Sequence, residues 1–306
     1  MIKIFIDGSA GTTGLRIYQR LSERRDLEIL TLPEALRKDP AARADRLNEA
    51  AIAFLCLPDA AAQEAAALVK NPDTAVIDTS TAHRTAADWA YGFPELRGRR
   101  EAIASSKRVA NPGCHASGFI ALVAPLVENG LLDPAAELSC FSLTGYSGGG
   151  KKMIAEYEEE PDPLLGAPRQ YGLGQSHKHL PEMIKECALR TAPIFCPIVS
   201  NYYAGMEVTV PLFRSQLRGT AADVREVYQS YYASGLVRFA GTVEEGGFLS
   251  ANALEGRDDM ELTVWGNDDR LLLTARFDNL GKGASGAAIQ NMNILLGLDE
   301  ATGLNV

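Results

Sequence analysis

Ile2-Lys3-Ile4-Phe5-Ile6-Asp7-Gly8-Ser9-Ala10-Gly11-Thr12-Thr13-Gly14 is an apolar run that gives way to glycines three residues apart. Residues 15–21 follow at once with helical spacing, so the stretch predicts a strand, a sharp turn and a helix. GxxGxxG is a shifted relative of the GxGxxG dinucleotide fingerprint. Glycine lets the backbone turn tightly and approach a diphosphate, while the helix start offers N–H groups and the positive end of its dipole. A turn without any ligand would use the same glycines; its place on the first strand of an alternating α/β half favours the nucleotide reading. Gly8, Ser9, Ala10, Gly11, Thr12, Thr13 and Gly14 are the candidate cofactor-binding residues. The second strand is expected to end at Leu30-Thr31-Leu32-Pro33, with no carboxylate before Glu34 to hold a ribose 2′-hydroxyl. That absence leans toward NADP, with Thr13, Arg16 and Arg37 as candidates to face its 2′-phosphate.

The alternation continues outward. Strands are expected at residues 28–32, 52–57, 76–78 and 108–110, and an Ala-rich helix at 60–69. This half reads as α/β, a Rossmann-type doubly wound domain built on a parallel sheet. From about residue 138 the strands lengthen, at 138–143, 206–213, 260–265 and 271–277. The last two are joined by Gly266-Asn267-Asp268-Asp269, whose Asn and Asp tolerate hairpin dihedrals. The second half is therefore α+β with a mostly antiparallel sheet. A final helix is expected at about residues 284–296.

The chain has 306 residues, enough for about two domains and a large core without disulfides or metals to hold it. A net charge of -9 argues against a general nucleic-acid binder and leaves room for a local cationic pocket. No apolar stretch reaches the roughly 18 residues of a membrane span, and no basic leader precedes the first strand, so a cytoplasmic protein is expected. The acidic run Glu156, Glu158, Glu159 and Glu160 reads as a solvated face. Cys56, Cys114, Cys140, Cys187 and Cys196 show no CxxC or other metal-ligand spacing.

One cysteine stands apart. Asn111-Pro112-Gly113-Cys114-His115-Ala116-Ser117-Gly118 joins a strand to the apolar helix at 119–127, which puts the Cys114 sulfur near a helix start at the sheet edge. A helix N-terminus stabilises a thiolate, and that edge is where ligands bind in this architecture. The other four sit in apolar strands or on a helix face, as small buried hydrophobes. A nucleophilic thiol needs a proton partner, and the chain holds only His83, His115, His177 and His179. His115 is adjacent in sequence, where helical side chains diverge. His177-Lys178-His179-Leu180-Pro181-Glu182 precedes a helix and can point into a cleft. Two histidines two apart could bind a metal on a strand, but no third ligand has matching spacing. Acid/base work is favoured, with no metal site.

Taken together, GSAGTTG, NPGCHAS, HKHLPE and the segment Asp278-Asn279-Leu280-Gly281-Lys282-Gly283-Ala284-Ser285 with its continuation AIQNMN closely resemble the N-acetyl-gamma-glutamyl-phosphate reductases, in their shorter-chain form. The resemblance runs over nearly the whole chain and places it in the wider aspartate-semialdehyde dehydrogenase superfamily, whose name-giving enzymes lack this histidine motif. It implies a catalytic and dimerisation domain at 115–283. It also implies a dinucleotide-binding domain at 1–114, completed by 284–306, and a homodimer or homotetramer. The implied reaction is reduction of an acyl phosphate by NADPH through a thioester on Cys114, with acid/base chemistry in the HxH motif, His177 ahead of His179. Ser80, Lys282 and Gly283 are implied cofactor contacts. Arg84, Asn111, Ser147, Gly148 and Gly149 are implied substrate contacts, Arg84 facing the leaving phosphate and Lys151 or Lys152 adding charge to the glycine loop. Tyr91-Gly92-Phe93-Pro94-Glu95 resembles a segment near the substrate. Competing expectations are the same chemistry on aspartyl or carrier-linked aminoadipyl phosphate, a noncatalytic dinucleotide-binding regulator, and a redox-sensor thiol.

Overall fold

The computed structural model describes residues 1–159, 162–243 and 245–306; Glu160, the last of the acidic run, lies outside them. These residues form two compact units, Met1–Pro112 with Ala284–Leu304, and Gly113–Gly283 with Asn305–Val306. The chain passes between them after Pro112, so Gly113 opens the second unit and Cys114 is its second residue.

The first unit runs β1 (Ile2–Asp7), α1 (Thr12–Ser22), β2 (Leu27–Leu30), α2 (Pro40–Glu49), β3 (Ile52–Leu55), α3 (Asp59–Leu68), β4 (Ala75–Asp78), β5 (Ala90–Tyr91), α4 (Arg99–Ser105) and β6 (Arg108–Ala110). The second runs α5 (Cys114–Glu128), β7 (Ser139–Gly145), α6 (Gly150–Glu158), β8 (Arg169–Gln170), α7 (Leu180–Glu186), β9 (Ile194–Ser200), β10 (Met206–Phe213), α8 (Ala221–Tyr231), β11 (Val237–Gly241), β12 (Met260–Gly266) and β13 (Arg270–Phe277). The chain then rejoins the first unit as α9 (Gly286–Leu295).

The first unit's strands lie in the order β2-β1-β3-β4-β6-β5, all parallel. Alternate residues of β1 serve two cores. Ile4 and Ile6 pack with Ile17, Leu21, Met292 and Ile289, whereas Phe5 packs with Leu47, Ala62 and Ala65. A sheet buried on both faces is what a doubly wound fold requires. The chain steps from β1 to β2 on one side and to β3 on the other, so the switch point lies between β1 and β3.

The second unit's sheet has the order β11-β12-β13-β10-β7-β9-β8. Its β11–β12 and β7–β9 pairs are parallel and the remainder antiparallel, making it mixed but mostly antiparallel. In the β12–β13 hairpin Gly266 supplies the left-handed residue, φ +99°, with its Cβ position only 2.2 Å from Arg270 O. The Asn and Asp residues do not take that conformation; Asn267 Oδ1 accepts instead from the amides of Asp269 and Arg270, both at 3.0 Å. One sheet face packs on α5 and α8. The other leaves Phe141, Ile194, Phe213 and Leu272 exposed, beside a cleft of about 650 Å³.

Residues 115–126 of α5 are buried, so this helix is the centre of the second unit's core. It contains Pro125, whose missing N–H leaves the Ala121 carbonyl without its helical donor. Tyr232 Oη donates to that carbonyl at 2.8 Å, and Tyr228 Oη donates to Leu122 O at 2.5 Å. Tyr232→Phe should therefore cost about 1–3 kcal/mol by denaturant unfolding, the scale of a buried acceptor left unsatisfied. A loss below about 0.5 kcal/mol would mean that the helix repairs itself another way. No helix among the described residues is long and apolar enough to cross a membrane.

Candidate active site

In the first unit the glycine turn sits at the β1–β3 switch point. Gly8 adopts φ +89°, and a Cβ there would lie 2.3 Å from Cys56 O; a Cβ on Gly14 would lie 2.4 Å from Gly8 O. Gly11 is the N-cap of α1 and offers no side chain to its free amides. Thr12 Oγ1 is buried without a hydrogen-bond partner. Close backbone approach, uncapped amides and an orphaned hydroxyl fit a dinucleotide diphosphate, which Gly8–Gly14 would hold. Thr13 and Arg16 lie partly buried on α1, while Arg37 is exposed and paired with Glu34 at 3.3 Å.

The segment after β4 is strongly tied. Ser80 donates from N and Oγ to Asp78 at 2.9 and 2.7 Å, and His83 Nδ1 lies 2.6 Å from Asp78 Oδ2. Arg84 is buried, its Nε and Nη2 donating to the carbonyls of Asn111 and Thr79. Asn111 donates from Nδ2 to Ala284 O and accepts from Asn291 Nδ2, which also donates to Gly92 O. Ser80, Arg84 and Asn111 thus brace the sheet edge, and the AIQNMN segment supplies part of the bracing.

In the second unit Cys114 is the first residue of α5, with Gly113 as N-cap and no side-chain cap. It is partly exposed. Gly113 N donates to Glu182 Oε2 at 3.1 Å, so α7 fixes the turn before the thiol. A Cβ on Gly283 would meet Cys114 Cβ at 3.0 Å, which places Gly283 beside Cys114. No other cysteine opens a helix. Burial pushes Cys56 up to about 12 and raises Cys140 and Cys187 as well. All five are thiols rather than disulfides.

Three of the four histidines, His115, His177 and His179, gather around this helix start. The rings of His177 and His179 lie 4.7 Å apart, and those of His115 lie 5.7 and 5.5 Å from them. His179 N donates to His177 Nδ1 at 3.2 Å, so a neutral His177 carries its proton on Nε2. His177 is partly exposed and His179 buried. His115 is enclosed between Ser142 Oγ and Tyr171 Oη, each 2.7 Å from a ring nitrogen. Burial, then the charges of His177 and Lys178, lower it to about 3, so it stays neutral at working pH. Burial, then the charge of Cys114, push the Tyr171 phenol upward, tying the thiol to the same cluster.

Sequence reasoning did not pick out Tyr171, Ser142 or Glu182, and set His115 aside. Glu182 had a readable signal, since it stands three residues after His179 and shares its helix face. In the glycine loop, Ser147 Oγ accepts from Asn279 Nδ2 at 3.0 Å, Gly148 and Gly149 follow in a tight turn, and Lys151 and Lys152 are exposed. Lys282 is buried within a π-helical turn of the second unit.

The chain matches the semialdehyde dehydrogenase NAD binding domain over residues 32–106 and the semialdehyde dehydrogenase dimerisation domain over residues 114–279. It is 49% identical to the N-acetyl-gamma-glutamyl-phosphate reductases of Brucella ovis and Brucella canis, over 96% of this chain and 99% of each of theirs. The chain belongs to the N-acetyl-gamma-glutamyl-phosphate reductase family. Solved structures carry the fold beyond the reductases. Aspartate semialdehyde dehydrogenase II of Vibrio cholerae aligns with TM-score 0.73 at 16% identity, covering 97% of this chain and 98% of that one. The Candida albicans enzyme solved with NADP gives 0.68 at 15%, over 97% and 98%. At such identities these likenesses establish architecture alone, and the reductase membership rests on the sequence relatives.

Proposed function

We propose that this reductase-family chain converts N-acetyl-L-glutamyl 5-phosphate and NADPH to N-acetyl-L-glutamate 5-semialdehyde, phosphate and NADP, a step of arginine biosynthesis. The observation that carries the reading is Cys114 on the first turn of α5 beside the His115, His177 and His179 cluster. The Cys114 thiolate, favoured by the helix N-terminus, attacks the acyl carbonyl. A C–S bond forms and the C–O bond to phosphate breaks, phosphate leaving with the electron pair. NADPH, which Gly8–Gly14 would hold, would supply a hydride to the thioester carbon. His177, its proton directed to Nε2 by the His179 amide, protonates the oxygen of the resulting thiohemiacetal anion. His177 takes that proton back as the carbonyl re-forms and the C–S bond breaks, releasing aldehyde and thiolate. On this reading the first unit binds the dinucleotide, and the second carries catalysis and association. Incubation with NADP, phosphate and separate semialdehydes tests it; turnover preferring aspartate semialdehyde would overturn the substrate assignment.

The exposed apolar sheet face of the second unit supports association of two or four copies through it. Ile194→Asp combined with Phe213→Asp should reduce the sedimenting species to a single chain with unchanged far-ultraviolet circular dichroism. An unaltered oligomer would remove this face from the interface. The same reading places the protein in the cytoplasm, where five thiols remain reduced.

A further inference from the structure

The chain leaves the second unit's sheet at β8 and enters α7 at Leu180, so residues 171–179 decide where His177 stands. β8 is only two residues long, Arg169 opposite Val199 and Gln170 opposite Ile198 of β9. One further backbone bond follows, from Tyr171 N to Pro197 O at 3.0 Å. Beyond it, among the described residues, no strand pairs with that edge of β9. Pro197 has no N–H to satisfy, but Phe195 presents an N–H and a carbonyl that both need partners.

Gln175 supplies them. Its Nε2 donates to Phe195 O at 2.8 Å, and its Oε1 accepts from Phe195 N at 2.9 Å. A primary amide carries the donor and acceptor of a peptide group, so this side chain continues the ladder where the backbone has left it. The loop bends to allow the substitution. Gln175 takes φ +53°, one of two non-glycine residues in the left-handed region among the described residues, and its N donates to Gly172 O at 3.0 Å. That conformation is costly for an L residue, and the two bonds to Phe195 offset the cost.

The strand residue so gripped is a wall of the histidine cluster. Phe195 is buried, with its ring 5.1 Å from that of His177 and 5.4 Å from that of His115. His177 follows Gln175 by two residues, and its ring also meets those of His115 and Tyr171 at 5.7 and 5.9 Å. Past His177 the chain is held again, Leu180 N donating to His177 O at 3.0 Å. Gln175 itself is exposed, so truncating it uncovers little apolar surface.

We infer that Gln175 is a positioning residue for the acid/base step: its amide rung on β9 fixes the loop and with it the place of the His177 ring among His115, Tyr171 and Phe195. It acts through His177. The inference rests on the acyl-phosphate reductase reading of this site.

The test is a double-mutant cycle on the full chain. Gln175→Ala removes both bonds; Gln175→Glu keeps an acceptor for Phe195 N and loses the donor to Phe195 O. Each is made alone and together with His177→Asn. The chain is given N-acetylglutamyl phosphate and NADPH, and the reductive step is read as NADPH oxidation in a single turnover, apart from product release. Alone, Gln175→Ala should slow that step by about 10- to 10²-fold, the scale of a catalytic group displaced by about an ångström, with both KM values within about twofold of wild type. Added to His177→Asn, it should change the rate by less than about twofold, because the group it positions is already gone. If Gln175→Ala does not fold, Gln175→Glu decides, with a loss in the same direction and the same dependence on His177. Equal factors in the two backgrounds, or an unchanged reductive rate, overturn the inference and leave the reductase reading standing. Loss of the folded chain in both variants, seen by circular dichroism, assigns Gln175 to stability and overturns it too. Failure of wild type to reduce the acyl phosphate overturns the reading of the site and the inference with it.

Discussion

Cys114→Ser abolishes turnover, with a loss of at least about 10³-fold, the scale seen when a covalent nucleophile is removed. Serine is nearly isosteric, so the turn held by Gly113 N on Glu182 and the close approach of Gly283 are preserved. What disappears is ionisation. A thiol titrates close enough to neutrality for a helix N-terminus to favour its anion, whereas a hydroxyl does not, and an alkoxide also leaves poorly from a hemiacetal. NADPH binding should persist, because the glycine turn proposed to hold the dinucleotide belongs to the first unit and contains no part of Cys114. Steady-state assay with equilibrium binding separates these effects. Retained activity removes Cys114 from the nucleophile role, and lost binding shows that the variant fails for another reason.

His177→Asn lowers kcat by about 10²–10⁴-fold, the usual contribution of a positioned acid/base. The amide oxygen of asparagine can still accept from the His179 N–H, so the local turn survives while the proton donor is lost. Acylation needs no such donor if the thiolate is already formed. Rapid-quench measurement should therefore find near-normal phosphate release in the first turnover and a slow reductive step. Equal slowing of both would assign His177 to forming the thiolate. A larger loss in His179→Asn would move the acid/base role to that residue and leave His177 as its support.

Much of this architecture is legible in short stretches because turn chemistry is local. GSAGTTG and NPGCHAS each combine an apolar strand, residues that turn sharply and a following helix, and each occupies the strand-to-helix turn that its residues predict. Elements with little apolar contrast were harder to read. α2 buries Leu47 alone, so no periodic stripe marks it, and its real signal is the Asp39 cap followed by Pro40. β9 carries Pro197, a residue that argues against strand assignment. The bond between His115 and Tyr171 joins residues 56 apart, and no local pattern announces such a meeting. The alternate β-strand residues that leave Ile194 and Phe213 exposed likewise become meaningful only once the strands are ordered in the sheet.

Mass spectrometry of the intact chain and its peptides shows whether a thioester forms on Cys114. The chain is incubated with N-acetylglutamyl phosphate without dinucleotide and quenched in acid. One N-acetylglutamyl group per chain is expected, on the peptide containing Cys114, removed by hydroxylamine and released as semialdehyde when NADPH is added before the quench. A stable acyl group on any other residue, or full turnover with Cys114 never acylated, would contradict it.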